Sequence, residues 1–181
     1  MVARYIDWKG YRFFIEAAKI VLQKYPDVVF WGIGSGPQEK ELRNLISEND
    51  LEKQFILTGF IHRSLIPSCY QNADIYVHAA LREPFGFVIA EAMMNKLPLV
   101  TTRTGAAADA VEHLKSGYLV DYKSSEQLAQ GILYILNKTD SERKEMGLFA
   151  ERRAKELYSF DKMWNGYTNL YHKAMEGRQK R

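Results

Sequence analysis

"DIYVHAALREPFGFVIAEAMM", Asp74 to Met94, sets a strand, a short loop and a helix in a row. "DIYVHAA" carries no charge after Asp74, as a strand buried on both faces requires. "FGFVIAEAMM" has the length and residue types of a helix but holds one acid, Glu91, among Val88, Ile89, Ala90, Ala92, Met93 and Met94. A buried, unpaired carboxylate costs several kcal/mol or gives up its charge. A second acid, Glu83, stands in the loop eight residues earlier. If the helix begins near Gly86, Glu91 lies about 7 Å up its axis, at 1.5 Å per residue.

The same alternation continues on either side. Upstream come "VAR" as the end of a strand, then "YRFFIEAAKIVLQKY", a helix with Phe14, Ala18, Val21 and Tyr25 on one side. "DVVFWGIG" reads as a strand, "PQEKELRNLISEN" as a helix with Pro37 at its start, and "KQFILTG" as a strand. "SLIPSCYQNA" is a short helix or helical turn made irregular by Pro67. Downstream, "LPLVTT" and "GYLVD" are strands around the helix "AAADAVEH". "SSEQLAQGILYILNK" is a helix capped by Ser124 or Ser125, followed by "SERKEMGLFAERRAKELY" and "DKMWNGYTNLYHKAM". Strands alternating with helices predict an α/β fold: a Rossmann-like parallel sheet with helices on both faces, residues 1–181 forming one domain. In this class ligands sit beyond the carboxyl ends of the strands.

Composition narrows the partners. The 181 residues are 46% hydrophobic and 26% charged, with net charge +3. That balance argues against nucleic acid, and the basic residues Arg178, Lys180 and Arg181 read as a solvated tail. The lone Cys69 excludes an internal disulfide and reads as a small buried apolar residue. No run reaches transmembrane length and no signal-peptide pattern opens the chain, so a cytoplasmic setting is expected.

The strand ends hold the candidate residues. Arg4 closes the first strand and Lys9-Gly10 opens the first helix; both basic groups could reach a diphosphate, or be ordinary surface residues. Gly32-Ile33-Gly34-Ser35-Gly36-Pro37 resists a dinucleotide reading. Proline takes the place of the third glycine, and the next strand end, Leu57-Thr58-Gly59, has no acid for a ribose. A glycine turn at Gly34 serves either a ligand or the backbone alone. The helix after Glu83 would offer the amides of Phe85, Gly86, Phe87 and Val88 and its positive dipole end to an anion. Acid, amides and acid suit a ligand with hydroxyls at both ends and a phosphate between them, such as a nucleotide sugar. The alternative makes Glu83 a helix-capping acid and Glu91 the partner of a lysine or arginine. No D-x-D pair is present, so no metal site is expected. His78 could line the site and His62 could approach a base, while His113 and His172 read as helix-surface residues.

Taken together, these motifs resemble the C-terminal, donor-binding half of a family 4 glycosyltransferase of the two-Rossmann-domain GT-B fold. Val2-Ala3-Arg4 with Lys9-Gly10 is similar to V-G-R…K-G, and Gly32 to Pro37 to G-x-G-x-G-P. Leu57-Thr58-Gly59-Phe60-Ile61 is similar to L-G-x-V. Glu83-Pro84-Phe85-Gly86-Phe87-Val88 with Glu91-Ala92-Met93 is similar to E-x-F-G-x-V…E-A-M. Pro98-Leu99-Val100 and Gly117-Tyr118-Leu119-Val120 resemble the later P-V-V and G-x-L-V. Ala3 departs from the usual glycine. Lys96 stands where a glycine ends the helix, and Asn95 could supply the left-handed turn instead. "TGAAADAV" replaces G-G-x-P-E and keeps only Gly105, in the loop that by the resemblance lies near the sugar.

The resemblance implies roles. Arg4 and Lys9 would hold the diphosphate, and the amides of Phe85 to Val88 the phosphate and sugar. Glu83 would contact sugar hydroxyls and Glu91 the ribose, with Gly34, Ile61 and Gly105 also lining the donor site. It implies sugar transfer with retention from a UDP-, GDP- or ADP-linked donor, without metal or other cofactor. It also implies an N-terminal acceptor-binding domain not included here, through which any peripheral membrane attachment would come. The abrupt start in a strand suggests a fragment that binds donor without efficient transfer. The aromatic residues Trp164, Tyr167 and Tyr171 of the last helix would either cross to that domain or pack on their own sheet. The competing readings are a non-catalytic nucleotide-binding module, half of a GT-B epimerase or phosphorylase, and a dinucleotide oxidoreductase.

Overall fold

The computed structural model describes residues 1–179. Five short strands, all in parallel pairs, are laid down among the described residues in two groups. β1 (Phe30–Ile33) pairs with β2 (Phe55–Gly59), and β3 (Tyr76–His78), β4 (Leu99–Thr102) and β5 (Gly117–Val120) run in that order. The expected strand end at Val2–Arg4 is reduced to one bridge, Val2 to Ile33, because the chain turns almost at once into a 3-10 turn at Asp7–Lys9.

The registers explain why β3, β4 and β5 are apolar throughout. Val77 opposes Val100, and Tyr76 opposes Leu99. Successive side chains point to opposite faces. Val77, Val100 and Val120 therefore enter one core, with α1 (Tyr11–Leu22) and α6 (Ser125–Leu136). Tyr76, Leu99 and Leu119 enter a second, with α4 (Phe87–Met94), α5 (Ala106–Ala110) and α7 (Asp140–Tyr158). Helices thus cover both faces of this group, as expected. β1 and β2 differ: Trp31 is 36% and Ile56 42% exposed, so one face of this pair is open to solvent. An apolar run alone does not tell a doubly covered strand from one with a bare face.

Local signals set most element ends. Ser124 is the N-cap of α6, its hydroxyl accepting from the Gln127 amide. Thr139 and Glu142 form a capping box on α7. Pro37 lies before the N-cap Gln38, so α2 (Glu39–Glu48) starts later than the proline suggested. α4 ends on Lys96 at φ 60°, whereas Asn95 stays at φ −89° and donates its side-chain N–H to the Glu91 carbonyl. The left-handed residue is therefore the lysine itself. α5 is shorter than expected, and His113 is on no helix: its Nδ1 accepts from the Leu119 amide at 3.0 Å. Cys69, on α3 (Ile66–Gln71), is half-buried rather than buried. α8 (Phe160–Gln179) carries Trp164, Tyr167, Leu170 and Tyr171 more than half exposed, so these residues do not pack on their own sheet.

Candidate functional site

The end of β3 and the start of α1 meet at Gly10. A Cβ there would lie 2.0 Å from the Ala79 carbonyl oxygen, and φ is 74°. Only glycine lets the backbone approach so closely in this conformation. The contact places Lys9 over the loop that follows β3. The Lys9 ammonium donates to Glu83 Oε2 at 2.5 Å. Behind the carboxylate lies His78, fully buried, with Nε2 3.4 Å from the same oxygen. The imidazole and then the ammonium hold the Glu83 carboxyl down to about 2, against the upward push of burial. Burial in turn lowers the His78 pKa, so the ring is neutral near pH 7. Tyr76 Oη lies 3.5 Å from His78 Nδ1. Burial raises the Tyr76 pKa and keeps it a phenol.

From Glu83 the loop runs to Gly86, the N-cap of α4 at φ 73°, which has no side chain to cap the first turn. The amides at Phe87 and Val88 open a helix that bears no acid in that turn. Phe85 and Phe87 pack together, ring centroids 4.6 Å apart, with Phe87 72% exposed. The β4–α5 loop closes on the same place. A Cβ on Gly105 would sit 1.6 Å from the Glu83 carbonyl oxygen.

Glu91, one turn further along α4, is exposed, and Tyr70 donates to its Oε2 at 3.0 Å. The buried charge expected from the apolar run is absent: the carboxylate points out of the core and needs no basic partner. Burial first, and then the nearby Tyr76 and Glu91, raise the Tyr70 pKa and keep it a donor. Neither alternative role for the acids is realised among the described residues. Glu83 caps no helix, and Glu91 meets no lysine or arginine.

Glu91, Tyr70, Phe85, Phe87, Arg63 and Tyr158 are among the residues lining a cleft of about 1320 Å³. Glu83, Lys9, Arg4, Gly34, Ile61 and Gly105 lie outside its lining. Arg4 is exposed and makes no ion pair among the described residues. Gly34 packs on the Ala3 carbonyl, so that glycine has a structural reason of its own. Ile61 is half-buried in the loop after β2, and the neighbouring His62 caps a 3-10 turn through Ser64. The structure thus joins Lys9, Glu83 and His78, brings Gly105 onto the same loop, and sets Glu91 with Tyr70. Sequence reasoning missed Tyr70 and Arg63. Tyr70 lay in the stretch read as a short helix or helical turn around Pro67, and Arg63 stood just before it with no signal of its own. Among the described residues no group of His, Cys, Asp or Glu could hold a metal, and no helix is long and apolar enough to cross a membrane. An open helix N-terminus flanked by an ammonium, a charged carboxylate and an exposed second carboxylate can bind an anion while accepting hydrogen bonds from hydroxyls on both sides.

Known proteins resemble this chain in sequence and fold. The chain is 29% identical over 164 residues to the 2-deoxystreptamine N-acetyl-D-glucosaminyltransferase of Niallia circulans, covering 90% of this chain and 42% of that protein. It is 29% identical over 178 residues to the trehalose synthase of Thermococcus litoralis, covering 93% of this chain and 42% of that one. The chain therefore spans less than half the length of these relatives. A crystal structure of HepE from Anabaena in complex with UDP superposes with a TM-score of 0.86 at 27% identity, over 95% of this chain and 47% of HepE. The C-terminal domain of a group 1 glycosyl transferase, LpcC of Francisella tularensis, superposes at 0.77 and 31% identity, over 87% of this chain and 83% of that domain. The family description "Glycosyl transferases group 1" matches residues 1–153, and the chain belongs to that family.

Proposed function

We propose that this chain is the donor-binding half of a retaining, metal-independent glycosyltransferase of the family 4 type. The observation that carries the reading is the charged Glu83, held by Lys9 beside the uncapped N-terminus of α4, with Glu91 exposed one turn further on. In this reading the α4 amides take the phosphates, Glu83 accepts from sugar hydroxyls and Glu91 from the ribose. Arg4 and Lys9 stabilise the diphosphate as it gains charge on leaving, so catalysis is orientation and electrostatics. UDP-linked donors come first, because HepE was solved with UDP and with UDP-glucose. The acceptor would be held by an N-terminal half, which the relatives' greater length accommodates. In this reading the exposed aromatic face of α8 packs against that half. A cytoplasmic setting goes with a lone free cysteine and a nucleotide-linked donor.

A thermal-shift panel of UDP, GDP, ADP and their glucose or mannose conjugates tests this. Ligand at a hundredfold excess over its dissociation constant should add about 2.7 kcal/mol of apparent stability. No shift with any member overturns the assignment. Efficient transfer by residues 1–181 alone would overturn the need for a second half.

A further inference from the structure

We infer that His78 is a positioning residue for Glu83: its Nε2–H takes over the carboxylate when a donor diphosphate draws Lys9 away. The inference rests on the donor-binding reading above. His78 Nε2 is the one buried side-chain polar atom without a hydrogen-bond partner among the described residues. Such an atom calls for an explanation, since leaving it unpaired is costly. Glu83 Oε2 stands 3.4 Å from it, close but not aligned as a hydrogen bond.

The Tyr76 hydroxyl lies 3.5 Å from His78 Nδ1, and in this inference it donates to that nitrogen, which leaves the hydrogen of the neutral ring on Nε2. The ring cannot swing away, since it is fully buried with its plane 21° from that of Tyr76. In the ligand-free chain Lys9 holds the carboxylate at 2.5 Å, and His78 acts on it from 3.4 Å without an aligned hydrogen bond. A diphosphate offers Lys9 a stronger anionic partner. The Glu83 side chain, only 10% exposed, would then lose its charged donor just when it must face a sugar. A small reorientation of the carboxylate aligns it with Nε2–H. Site hydrogen bonds that are long in free proteins commonly tighten on binding.

The test measures matched pairs by calorimetry: UDP with UDP-glucose, GDP with GDP-mannose, ADP with ADP-glucose. For the pair that wild-type protein binds, His78→Leu should weaken the nucleotide sugar about tenfold and the bare nucleotide less than about twofold. His78→Gln, which keeps an N–H donor, should recover most of the loss. Equal weakening of both members, or the same loss in His78→Gln and His78→Leu, would overturn the inference and leave the donor-binding reading standing. If neither variant folds, nitrogen-15 spectra of the wild-type imidazole decide. The Nε2–H proton should move downfield with the nucleotide sugar, and an unmoved signal overturns the inference. Failure of every pair to bind wild-type protein defeats the donor-binding reading itself.

Discussion

Glu83 and Glu91 carry the same charge in opposite surroundings, and their variants should behave differently. Glu91→Leu removes an exposed carboxylate, and Tyr70 keeps the Val88 carbonyl 3.4 Å away as an acceptor. Stability should stay within about 0.5 kcal/mol. Nucleotide affinity should fall about tenfold, as for a lost hydrogen bond to a charged group. Titration of the well-folded variant checks both, and unchanged affinity would remove Glu91 from the site. Glu83 is a linkage case. Its carboxyl is held from 4.5 in the unfolded chain to about 2 in the fold, so its contribution is complete above pH 4.5. That contribution is lost as pH falls from 4.5 toward 2. Glu83→Gln should lack this component, seen as a shallower decline in denaturant midpoint over that window. The eight-residue interval between the acids was legible in sequence. Their partners were not: Lys9 and Glu83 are 74 positions apart, and Tyr70 and Glu91 are 21 apart.

Helix α4 shows what short-range signals do and do not convey. Its start at Gly86 was readable, because a glycine beside an apolar helical run suits a left-handed N-cap. At its end Asn95 was open to the left-handed turn, but Lys96 takes it at φ 60°. Asparagine is the better left-handed residue intrinsically, but here its amide is occupied by the Glu91 carbonyl. Lys96→Gly should therefore stabilise the fold by about 1 kcal/mol, read as a raised melting temperature. α8 is the other case. Its heptad-like aromatic residues fit burial or exposure equally well, and the structure leaves them exposed. Replacing Trp164 and Tyr171 together by serine should leave the melting temperature nearly unchanged and reduce self-association in light scattering. A large loss of stability would mean that this face packs on the domain after all.

The assembled molecule rests on backbone contacts between distant loops. Gly10 against Ala79 and Gly105 against Glu83 bring the α1 start and the β4–α5 loop to the end of β3. Gly10→Ala should cost at least about 2 kcal/mol, since both its positive φ and the 2.0 Å approach forbid a Cβ. It should also weaken nucleotide binding by displacing Lys9; denaturation and calorimetry on one preparation would show both. The alternation of apolar runs with helical stretches was enough for the layered parallel fold and for the edge where the site lies. Burial and periodicity are written locally, in residues a few positions apart. The open face at Trp31 and Ile56, the exposure of Glu91 and the meeting of Lys9, His78 and Glu83 depend on which surfaces the folded layers leave uncovered or press together. Those outcomes belong to contacts between segments far apart in the chain, and no local pattern encodes them.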